Sequence, residues 1–403
     1  MKIGILKETK TPADNRVPLT PLQCKQLELK FNEIKVFVQP AKNRCFTDKE
    51  YEKAGIELQH DITDCDVLLG VKEVEPEYLI PDKTYLFFSH TIKKQPHNRE
   101  LLKTALKKRV RLIDYETLTD SEGLRLIGFG RWAGLVGAYN GIRAYCMRNK
   151  ISGLSPAHRF KKLQDMIKLV SSVKLPPVKI AVTGGGRVAA GSEEILAACN
   201  VQKVSVEDYI SIDDFGRPVY VQLEPDAYNT RKTGKAFELS HFFKHPESYN
   251  GNFGRFCNKT DLLVMAAFWD PRAPVLFNME EMRKRDFRIS FIADITCDIN
   301  GSVPSSIRTT THENPFYDFN PITEREEEAF SNPSNITVMT IDNLPCGLPR
   351  AASVDFGNIL INKVLPLIIQ SGKEDIIARA TIAEKGKLTA GFNYLADWIS
   401  EPA

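Results

Sequence analysis

The sequence predicts an α/β protein with mostly parallel sheets, and three observations support this prediction. Apolar segments of strand length alternate with helical patterns through the first third of the chain, and the alternation restarts at Val178. The composition is typical of a soluble globular protein, with 42% hydrophobic and 26% charged residues. The length of 403 residues suits two or three domains of about 100–200 residues each.

The first third of the chain contains five strand candidates and two helix candidates. The strands are predicted at Lys2–Leu6, Lys35–Val38, Val67–Val71, Tyr85–Phe88 and Arg111–Tyr115. The helices are predicted at Thr20–Lys30, where Thr20 can cap and Pro21 fits the first turn, and at Asn98–Lys108.

A stretch of small residues at Gly128–Gly134 interrupts this pattern and predicts a helix that continues to about Met147. The later strands are predicted at Val178–Thr183, Lys203–Val206, Leu262–Ala267, Phe291–Ile295 and Thr337–Ile341. The later helices are predicted at Ala189–Ala198, Asn358–Gln370 and Glu374–Glu384. The segment from about 210 to 256 is polar and rich in Gly, Pro and Asn, so we interpret it as an insertion.

Charge and cysteine usage favour a small-molecule partner. The 54 basic and 51 acidic residues give a net charge of +3, which does not favour nucleic-acid binding. The longest apolar runs are far shorter than the about 20 residues of a membrane span, and the start reads as a strand rather than a signal peptide. The eight cysteines form no C-x-x-C pair, which argues against a metal site. We therefore expect a cytoplasmic monomer or small homo-oligomer without membrane or metal binding.

A glycine-rich turn is the strongest local signal. The predicted strand Val178–Thr183 enters Gly184, Gly185 and Gly186, and Arg187 and Val188 begin the following helix. Such glycines permit a tight turn and close approach of a pyrophosphate, which the N-terminus of the helix favours. Glu207, 21 residues after Gly186, is predicted to end the next strand, where an acid can bind a ribose 2′-hydroxyl. This combination predicts dinucleotide binding.

Titratable residues follow two neighbouring strand candidates. Lys72 and Glu73 follow Val67–Val71, and His90 follows Tyr85–Ser89. Because the carboxyl ends of parallel strands line the ligand crevice of an open sheet, Lys72 and His90 can face one cleft. A partly desolvated lysine can exchange protons near neutral pH. The alternative is a surface lysine and a structural histidine, which spacing alone leaves open.

Arginines and carboxylates near other predicted strand ends are weaker candidates. The guanidinium groups of Arg16, Arg125 and Arg350 suit bidentate binding of carboxylates, and ordinary solvated arginines are the alternative. Asp342 follows the predicted strand Thr337–Ile341, where an aspartate is also common as a cap or turn residue.

Several motifs resemble a known family. Lys7–Lys10 and Asn15–Pro21 resemble the opening of the alanine dehydrogenase/transhydrogenase superfamily. More specific motifs resemble lysine-forming saccharopine dehydrogenases and the lysine–2-oxoglutarate reductase half of the bifunctional aminoadipate-semialdehyde synthases. They are Ser89–Gln95, Arg111–Glu116, Phe129–Gly134, Thr340–Pro345 and Leu348–Arg350, with Ala351 where that family commonly has Glu.

The resemblance implies two Rossmann-like, doubly wound domains with an intervening cleft. It implies a discontinuous catalytic domain of residues 1–134 and 342–403 and a dinucleotide-binding domain of residues 135–341 that carries the insertion. Lys72 and His90 match the acid–base pair of the family, and Glu73 and Glu116 match acids that tune the pair. Residues that match substrate-binding positions are Arg16, Lys93, Arg125 and Asp342, the last also near the nicotinamide; Arg350 belongs to a shared motif.

The resemblance also implies a reaction, the reversible conversion of saccharopine, water and NAD(P) to L-lysine, 2-oxoglutarate and NAD(P)H. Saccharopine carries three carboxylates, which explains the need for several basic side chains. Two alternatives stay open, an alanine dehydrogenase-like amino-acid dehydrogenase and a non-catalytic nucleotide-binding homologue. A requirement for 2-oxoglutarate separates the proposed enzyme from the first, and turnover separates it from the second.

The residues that follow the glycine turn favour NAD over NADP. Glu207 would repel a 2′-phosphate, and residues 208–216 contain no Arg or Lys but three further aspartates. The resembling reductase works with NADP, and Arg187 or Arg231 can supply positive charge from elsewhere. We expect NAD, because nearby charge repulsion is hard to offset at a distance, and NADP remains the alternative.

Overall fold

The computed structural model describes residues 1–10, 14–151, 153–370 and 375–401. The chain divides into two compact units, the first made of Met1–Phe129 with Pro349–Ala403 and the second of Gly130–Leu348. Each unit contains one eight-stranded, mostly parallel sheet, and the second also has a two-stranded antiparallel sheet. The predicted α/β fold class is confirmed.

The first unit begins with alternating strands and helices. These are β1 (Lys2–Ile5), α1 (Pro21–Lys30), β2 (Lys35–Val38), α2 (Asp48–Lys53), β3 (Glu57–Leu58), β4 (Val67–Leu69), β5 (Thr84–Phe87), α3 (Arg99–Lys107) and β6 (Arg111–Asp114). The five predicted strands and two predicted helices of this region are confirmed, within one or two residues at each end. The parallel strands lie in the order β3-β2-β1-β4-β5-β6. The order reverses between β1 and β4, which is where open sheets of this kind bind ligands.

Local capping explains why α1 starts where it does. The Thr20 hydroxyl accepts the backbone N–H of Gln23, the Gln23 side chain accepts the N–H of Thr20, and Pro21 occupies the first helical position. The Gln23 amide also donates to Asn358 and to the Val354 carbonyl, which attaches α1 to the helix that begins at Pro349 in the same unit.

The second unit contains the elements α4 to α11 and β7 to β16. They are α4 (Gly130–Arg148), α5 (Leu163–Ser171), β7 (Lys179–Thr183), α6 (Arg187–Ala198), β8 (Gln202–Lys203), α7 (Val206–Ser211), β9 (Val219–Leu223), α8 (Pro225–Tyr228), β10 (Asn229–Arg231), α9 (Leu239–Lys244), β11 (Tyr249–Gly251), α10 (Gly254–Cys257), β12 (Leu262–Met265), α11 (Met279–Met282), β13 (Phe291–Asp294), β14 (Tyr317–Asn320), β15 (Arg325–Glu327) and β16 (Ile336–Met339). The main sheet has the order β15-β14-β16-β13-β12-β7-β9-β8, and β10 pairs with β11.

The strand next to β7 is not the one that the sequence pattern predicted. Residues Gln202–Lys203 form only a short edge strand, and Val206 begins α7, so the predicted strand Lys203–Val206 is wrong. The neighbour of β7 is β9, which pairs in register from Lys179–Val219 to Thr183–Leu223. The segment interpreted as an insertion therefore contributes the second strand from one edge of the main sheet. Its apolar residues Val219, Tyr220, Val221 and Leu223 are buried, which favours a place within the sheet.

The C-terminal elements complete the first unit. They are α12 (Pro349–Ile359), a π-helical turn (Leu360–Val364), α13 (Leu365–Ile369), α14 (Asp375–Ala380), β17 (Thr381–Glu384), β18 (Lys387–Leu388) and α15 (Ala396–Ser400). The helix predicted at Asn358–Gln370 thus begins earlier, at Pro349. The helix predicted at Glu374–Glu384 is half wrong, because Thr381–Glu384 pairs antiparallel with β6; Glu374 lies outside the described residues.

The continuous helical stretch Pro349–Ile369 is the one candidate membrane span in the described part of the chain. Its 21 residues include a window of mean hydropathy 1.4, and 44% of that window is buried within the protein. The core helix of a folded domain passes the same test of length and composition.

Helices α4 and α6 of the second unit cross at very short distance. A Cβ added to Gly134 would lie 1.9 Å from the Val188 carbonyl oxygen, and one added to Gly191 would lie 2.1 Å from the Arg131 carbonyl oxygen. Such contacts are far below van der Waals distance. The small residues of α4 therefore let α6 pack close behind the glycine turn.

We expect Gly134→Ala to lower the stability of the second unit, since its Cβ meets backbone rather than a flexible side chain. Overpacking of this kind costs about 1–3 kcal/mol or more. Gly153→Ala is the matched control, because nothing lies within 4 Å of a Cβ at Gly153. Thermal unfolding of both variants measures the effect, and equal midpoints for the two would contradict the close crossing.

Candidate active site

The predicted acid–base residues lie at the carboxyl edge of the first sheet. Lys72 and Glu73 follow β4, His90 follows β5, and Glu116 follows β6. These strands are neighbours in the sheet, so the fold brings together residues that lie up to 44 positions apart in the sequence. Electrostatic interactions link His90 with both Glu73 and Glu116, and Lys72 with Glu73.

Glu73 is held between His90 and Lys10. His90 Nδ1 lies 2.6 Å from Glu73 Oε1, and Lys10 Nζ lies 3.1 and 3.0 Å from the two carboxylate oxygens. Burial opposes ionisation of Glu73, but His90 and Lys10 outweigh it and lower the pKa of Glu73 to about 2. An ionised carboxylate only accepts hydrogen bonds, so Nδ1 of His90 donates. Nε2 is therefore the imidazole nitrogen left for proton exchange.

Lys72 lies in a positively charged environment. Burial is the main cause that lowers the pKa of Lys72, and the charges of Arg16 and Lys10 lower it further. The charges of Asp14 and Glu73 oppose this shift without reversing it. A lysine with a lowered pKa is a group suited to proton exchange near neutral pH.

Arg16 is locked in place by Asp14 and an aromatic ring. The guanidinium is 4% exposed, donates from Nε to Asp14 Oδ1 at 3.0 Å and from Nη2 to Asp14 Oδ2, and lies 4.1 Å from the centre of the Phe129 ring. Although Asp14 is buried, Arg16 holds the pKa of this carboxyl well below its usual range. Arg16 is thus a fixed cation next to Lys72.

Glu116 forms a second charged group with Lys93 and Arg125. Arg125 Nη2 lies 2.9 Å and Lys93 Nζ 3.4 Å from Glu116 Oε1. Burial opposes ionisation of Glu116, but Lys93, Arg125 and His90 together lower its pKa. The other oxygen, Oε2, is a buried acceptor to which no described donor is bound.

A buried aspartate sets the backbone beneath His90 and Glu116. Asp114 accepts the N–H of Ser89 at 3.0 Å, the N–H of Glu116 at 2.7 Å, and the Ser89 hydroxyl. Burial raises the pKa of Asp114. His90 itself has φ +50°, in the left-handed region that is uncommon for a non-glycine residue. Asp114 therefore holds Ser89 in place immediately before the left-handed residue His90.

The contacts of Arg350 are with other residues than these charged groups. Its guanidinium donates to Glu50 at 2.7 and 3.3 Å and to the Cys45 carbonyl at 2.6 Å, and it stacks 4.0 Å from the centre of the Phe46 ring. These contacts attach α12 to the region around α2 within the first unit. The role of Arg350 in substrate binding stays a prediction.

The glycine turn lies at the carboxyl edge of the second sheet. Gly184 has φ +94°, and its N–H donates to the Leu223 carbonyl at 2.7 Å. A Cβ there would also lie 3.1 Å from the Ala266 carbonyl oxygen, so a side chain fits neither the backbone nor the space. Gly186 caps α6, whose first residues are Arg187 and Val188, and nothing lies within 4 Å of a Cβ at Gly186. The space in front of the N-terminus of α6 is therefore open.

Glu207 does not have the position that the sequence predicted for it. It lies in α7, beyond the edge strand β8, and β9 separates that strand from β7. The acid that follows the strand adjacent to β7 is Glu224, directly after β9. A Cβ at Gly185 would lie 2.9 Å from Glu224 Oε1. Glu224, and not Glu207, therefore follows the strand adjacent to β7. The ribose-binding role predicted for Glu207 stays a prediction.

An apolar pocket opens beside this turn, within the second unit. It includes Thr183, which precedes Gly184, and Pro225, which follows Glu224. Aromatic side chains form much of its wall, among them Tyr228, Phe242, Phe268 and Trp269. Planar aromatic ligands suit such walls.

Asp342 also belongs to the second unit. It is exposed and follows β16, and the neighbouring Ile341 bridges to Thr310. His312 Nε2 donates to the Asn343 carbonyl at 2.9 Å, which fixes the loop that carries Asp342. The role predicted for Asp342 stays a prediction.

Sequence reasoning missed five residues of these sites, namely Glu8, Lys10, Asp14, Asp114 and Glu224. Some signals were present. Glu8 and Lys10 follow the predicted strand Lys2–Leu6, and Glu224 follows the strand-length segment Val219–Leu223, which is apolar except for Gln222. Asp114 gave no signal, because a buried aspartate that binds backbone N–H groups has no local sequence pattern.

Comparisons with known proteins show which proteins the chain resembles. Residues 4–136 match the family described as alanine dehydrogenase/PNT, N-terminal domain. The alpha-aminoadipic semialdehyde synthase of Arabidopsis thaliana is 31% identical over 98% of this chain and 41% of its own length. A saccharopine dehydrogenase [NAD(+), L-lysine-forming] of Emericella nidulans is 26% identical over 91% of this chain and 92% of its own length. A solved L-alanine dehydrogenase superposes with a TM-score of 0.66 at 19% identity, covering 99% of this chain and all of that one.

Over residues 4–136 the chain is therefore similar to the alanine dehydrogenase/PNT N-terminal domain, and its two Rossmann-like domains have the fold of the solved L-alanine dehydrogenase. The chain is a homologue of lysine-forming saccharopine dehydrogenases, which are oxidoreductases, and of alpha-aminoadipic semialdehyde synthases. The predicted resemblance is confirmed. The chain spans 41% of the length of the Arabidopsis relative and 47% of the Mus musculus relative.

The ion pairs of Glu73 predict a specific pH dependence of stability. Its pKa is about 2 in the folded protein against an ordinary value of 4.5. A lowered pKa stabilises the fold fully above the unfolded value, and this contribution is lost as the pH falls toward the folded value. We expect Glu73→Gln to reduce the free energy of unfolding by about 2–3 kcal/mol at neutral pH, and by less at each step from pH 5 to pH 3.

Urea unfolding of the wild type and the variant over this pH range measures the difference. Glu75→Gln, two residues along and exposed, is the control. If the wild type and Glu73→Gln differ by the same amount at every pH, the low pKa of Glu73 is contradicted.

Proposed function

We propose that the protein catalyses the reversible, NAD-dependent conversion of saccharopine and water to L-lysine and 2-oxoglutarate. The observation that carries the proposal is the composition of the carboxyl edge of the first sheet. Five basic side chains, Lys10, Arg16, Lys72, Lys93 and Arg125, accompany only three carboxylates with lowered pKa, Asp14, Glu73 and Glu116. Such a site suits a substrate with several carboxylates.

An excess of basic over ionised acidic groups suits saccharopine, which has three carboxylates. Lys93 and Arg125 are 48% and 40% exposed, so both can turn toward a ligand, whereas Arg16 is fixed. Together these basic groups suit the acid groups of an amino-acid substrate.

The reaction needs proton transfer at several steps, and Lys72 and His90 supply it. In the direction of saccharopine cleavage, a base removes a proton from the secondary amine, and hydride leaves the adjacent glutaryl carbon to give an imine. Water adds to the imine carbon, and the carbinolamine loses lysine when its nitrogen is protonated and its hydroxyl deprotonated. Lys72 has the lowered pKa that such exchange requires, and Glu73 orients His90 with Nε2 available.

The second unit holds the groups that fit a dinucleotide. Gly184, Gly185 and the N-terminus of α6 leave room for a pyrophosphate, Glu224 can accept a ribose 2′-hydroxyl, and the adjoining aromatic pocket suits adenine. When bound, the nicotinamide accepts or returns the hydride. Lys203 lies in β8, beside the strand β9 that precedes Glu224. Its ammonium donates to Glu193 and Gln222 at 2.6 Å each, so it is already paired, and this favours NAD over NADP.

Oxidation of NADH by the purified chain tests this proposal. The oxidation should require L-lysine and 2-oxoglutarate together, and saccharopine should form in equal amount. NADH oxidation with pyruvate and ammonia instead would identify an alanine dehydrogenase-like enzyme, and cofactor binding without any turnover would identify a nucleotide-binding homologue. Either result would contradict the proposal.

We expect Lys72→Met and His90→Gln each to reduce kcat by about 10²–10⁴-fold, since general acid–base groups contribute that much. Binding of NADH should stay unchanged, because neither residue belongs to the glycine turn. Lys53→Met and His60→Gln, both exposed residues of the first unit, are the matched controls. Steady-state kinetics and NADH fluorescence titration measure the two effects, and a wild-type kcat and pH profile in both variants would contradict the assignment.

Cofactor choice is predicted to depend on Glu224. We expect Glu224→Ala to lower kcat/KM for NADH and raise it for NADPH, because it removes both the 2′-hydroxyl acceptor and the repulsion of a 2′-phosphate. The ratio of kcat/KM for NADH to kcat/KM for NADPH should fall by about tenfold or more, which corresponds to about 1.4 kcal/mol. Glu207→Ala is the control and should leave the ratio unchanged. A change of the ratio in Glu207→Ala and not in Glu224→Ala would contradict the structural assignment.

A further inference from the structure

Glu8 connects the two strands at which the order of the first sheet reverses. The backbone ladder between β1 and β4 ends where the N–H of Leu6 donates to the Leu69 carbonyl at 2.9 Å. Beyond this bond, the backbone N–H groups that follow β4 are bound by the side chain of Glu8. Its Oε1 accepts the N–H of Val71 at 2.7 Å, and its Oε2 accepts the N–H of Lys72 at 2.9 Å. One carboxyl group therefore holds two successive backbone N–H groups, the second of which belongs to Lys72.

The position is electrostatically costly for a carboxyl group. Burial and the charge of Asp14 raise the pKa of Glu8 to about 8, although the two N–H groups and Arg16 act in the opposite direction. The titratable and charged groups that face it are Asp14, Arg16 and the hydroxyl of Tyr115. A hydrophobic residue there would avoid the cost of burying Glu8 but would leave two N–H groups without acceptors. The cost is offset by what Glu8 does for the backbone.

Rotation of the peptide groups at Val71 and Lys72 would redirect the Lys72 side chain. We propose that Glu8 is a positioning residue for the acid–base reaction, which fixes the backbone at Lys72 and thereby the place of its ammonium group beside Arg16. The inference rests on the proposed function, since that function gives Lys72 its role in proton transfer. It makes Glu8 essential for turnover, although no reacting atom needs to touch it.

A double-mutant cycle separates positioning from a merely structural role. We expect Glu8→Gln, which can accept only one of the two N–H groups through its single carbonyl oxygen, to lower kcat by about 10–100-fold. KM for NADH should stay within about twofold, since the cofactor residues are not affected. In a Lys72→Met background the same change should lower kcat by less than about twofold, because Glu8 acts through Lys72. Glu8→Asp, which keeps the carboxyl group but is too short to reach both N–H groups, should behave like Glu8→Gln.

Glu28→Gln is the matched control. Glu28 is also a partly buried carboxylate that accepts a strand N–H, that of Val36 at 3.1 Å, but β2 carries none of the acid–base residues. Its kcat should equal that of the wild type. A wild-type kcat in Glu8→Gln and Glu8→Asp, or the same loss of kcat with and without Lys72, would overturn the proposal.

A second measurement does not depend on turnover, so it distinguishes failure of this inference from failure of the proposed function. The pH dependence of Lys72 acylation by acetic anhydride, followed by peptide mass spectrometry, reports the environment of its amine directly. In Glu8→Gln the midpoint should move up toward the ordinary lysine value of 10.5, since burial is the main cause of the lowered pKa. An unchanged midpoint in Glu8→Gln and Glu8→Asp would overturn the positioning role even if the wild type proves to catalyse a different reaction.

Discussion

The site of the first unit depends on how charged groups are fixed where parallel strands end. Lys72, Glu73, His90 and Glu116 all follow strands of one sheet, so the fold places them at one edge. Charges that close are stable only when each has a partner with good geometry. The pairs Asp14–Arg16 and Glu73–His90 and the group around Glu116 supply these partners. Lys72, whose pKa is lowered, is thereby left as the amine suited to proton exchange.

The second unit uses the same edge of its own sheet for a different purpose. There the main constraint is space, since Gly184 adopts a conformation that needs no side chain and Gly185 lies against Glu224. The helix that follows is held close to α4 by small residues. In the proposed function, the first unit therefore supplies proton transfer and carboxylate binding, and the second binds the dinucleotide.

How much of this can be predicted from sequence depends on whether a residue leaves a local pattern. Lys72, Glu73 and His90 follow apolar strand-length runs, and the structure places them at the strand ends as expected from that pattern. Glu207 was misplaced because strand order is not a local property: β9 inserts between β7 and the segment that precedes Glu207. Helix α14 gives way to β17 because Thr381 pairs with a distant strand. Glu8 and Asp114 act on backbone N–H groups, which no sequence pattern reveals.

The central claim is that the acid–base group of the first unit serves reduction of an imine formed from lysine and 2-oxoglutarate. Its most direct test uses NADH that carries deuterium in the transferable position at C4, with lysine and 2-oxoglutarate present, and mass spectrometry of the product. The account predicts saccharopine that is one mass unit heavier, with the label on the glutaryl carbon next to the secondary amine. Deuterated alanine from pyruvate and ammonia, or saccharopine without the label, would contradict it.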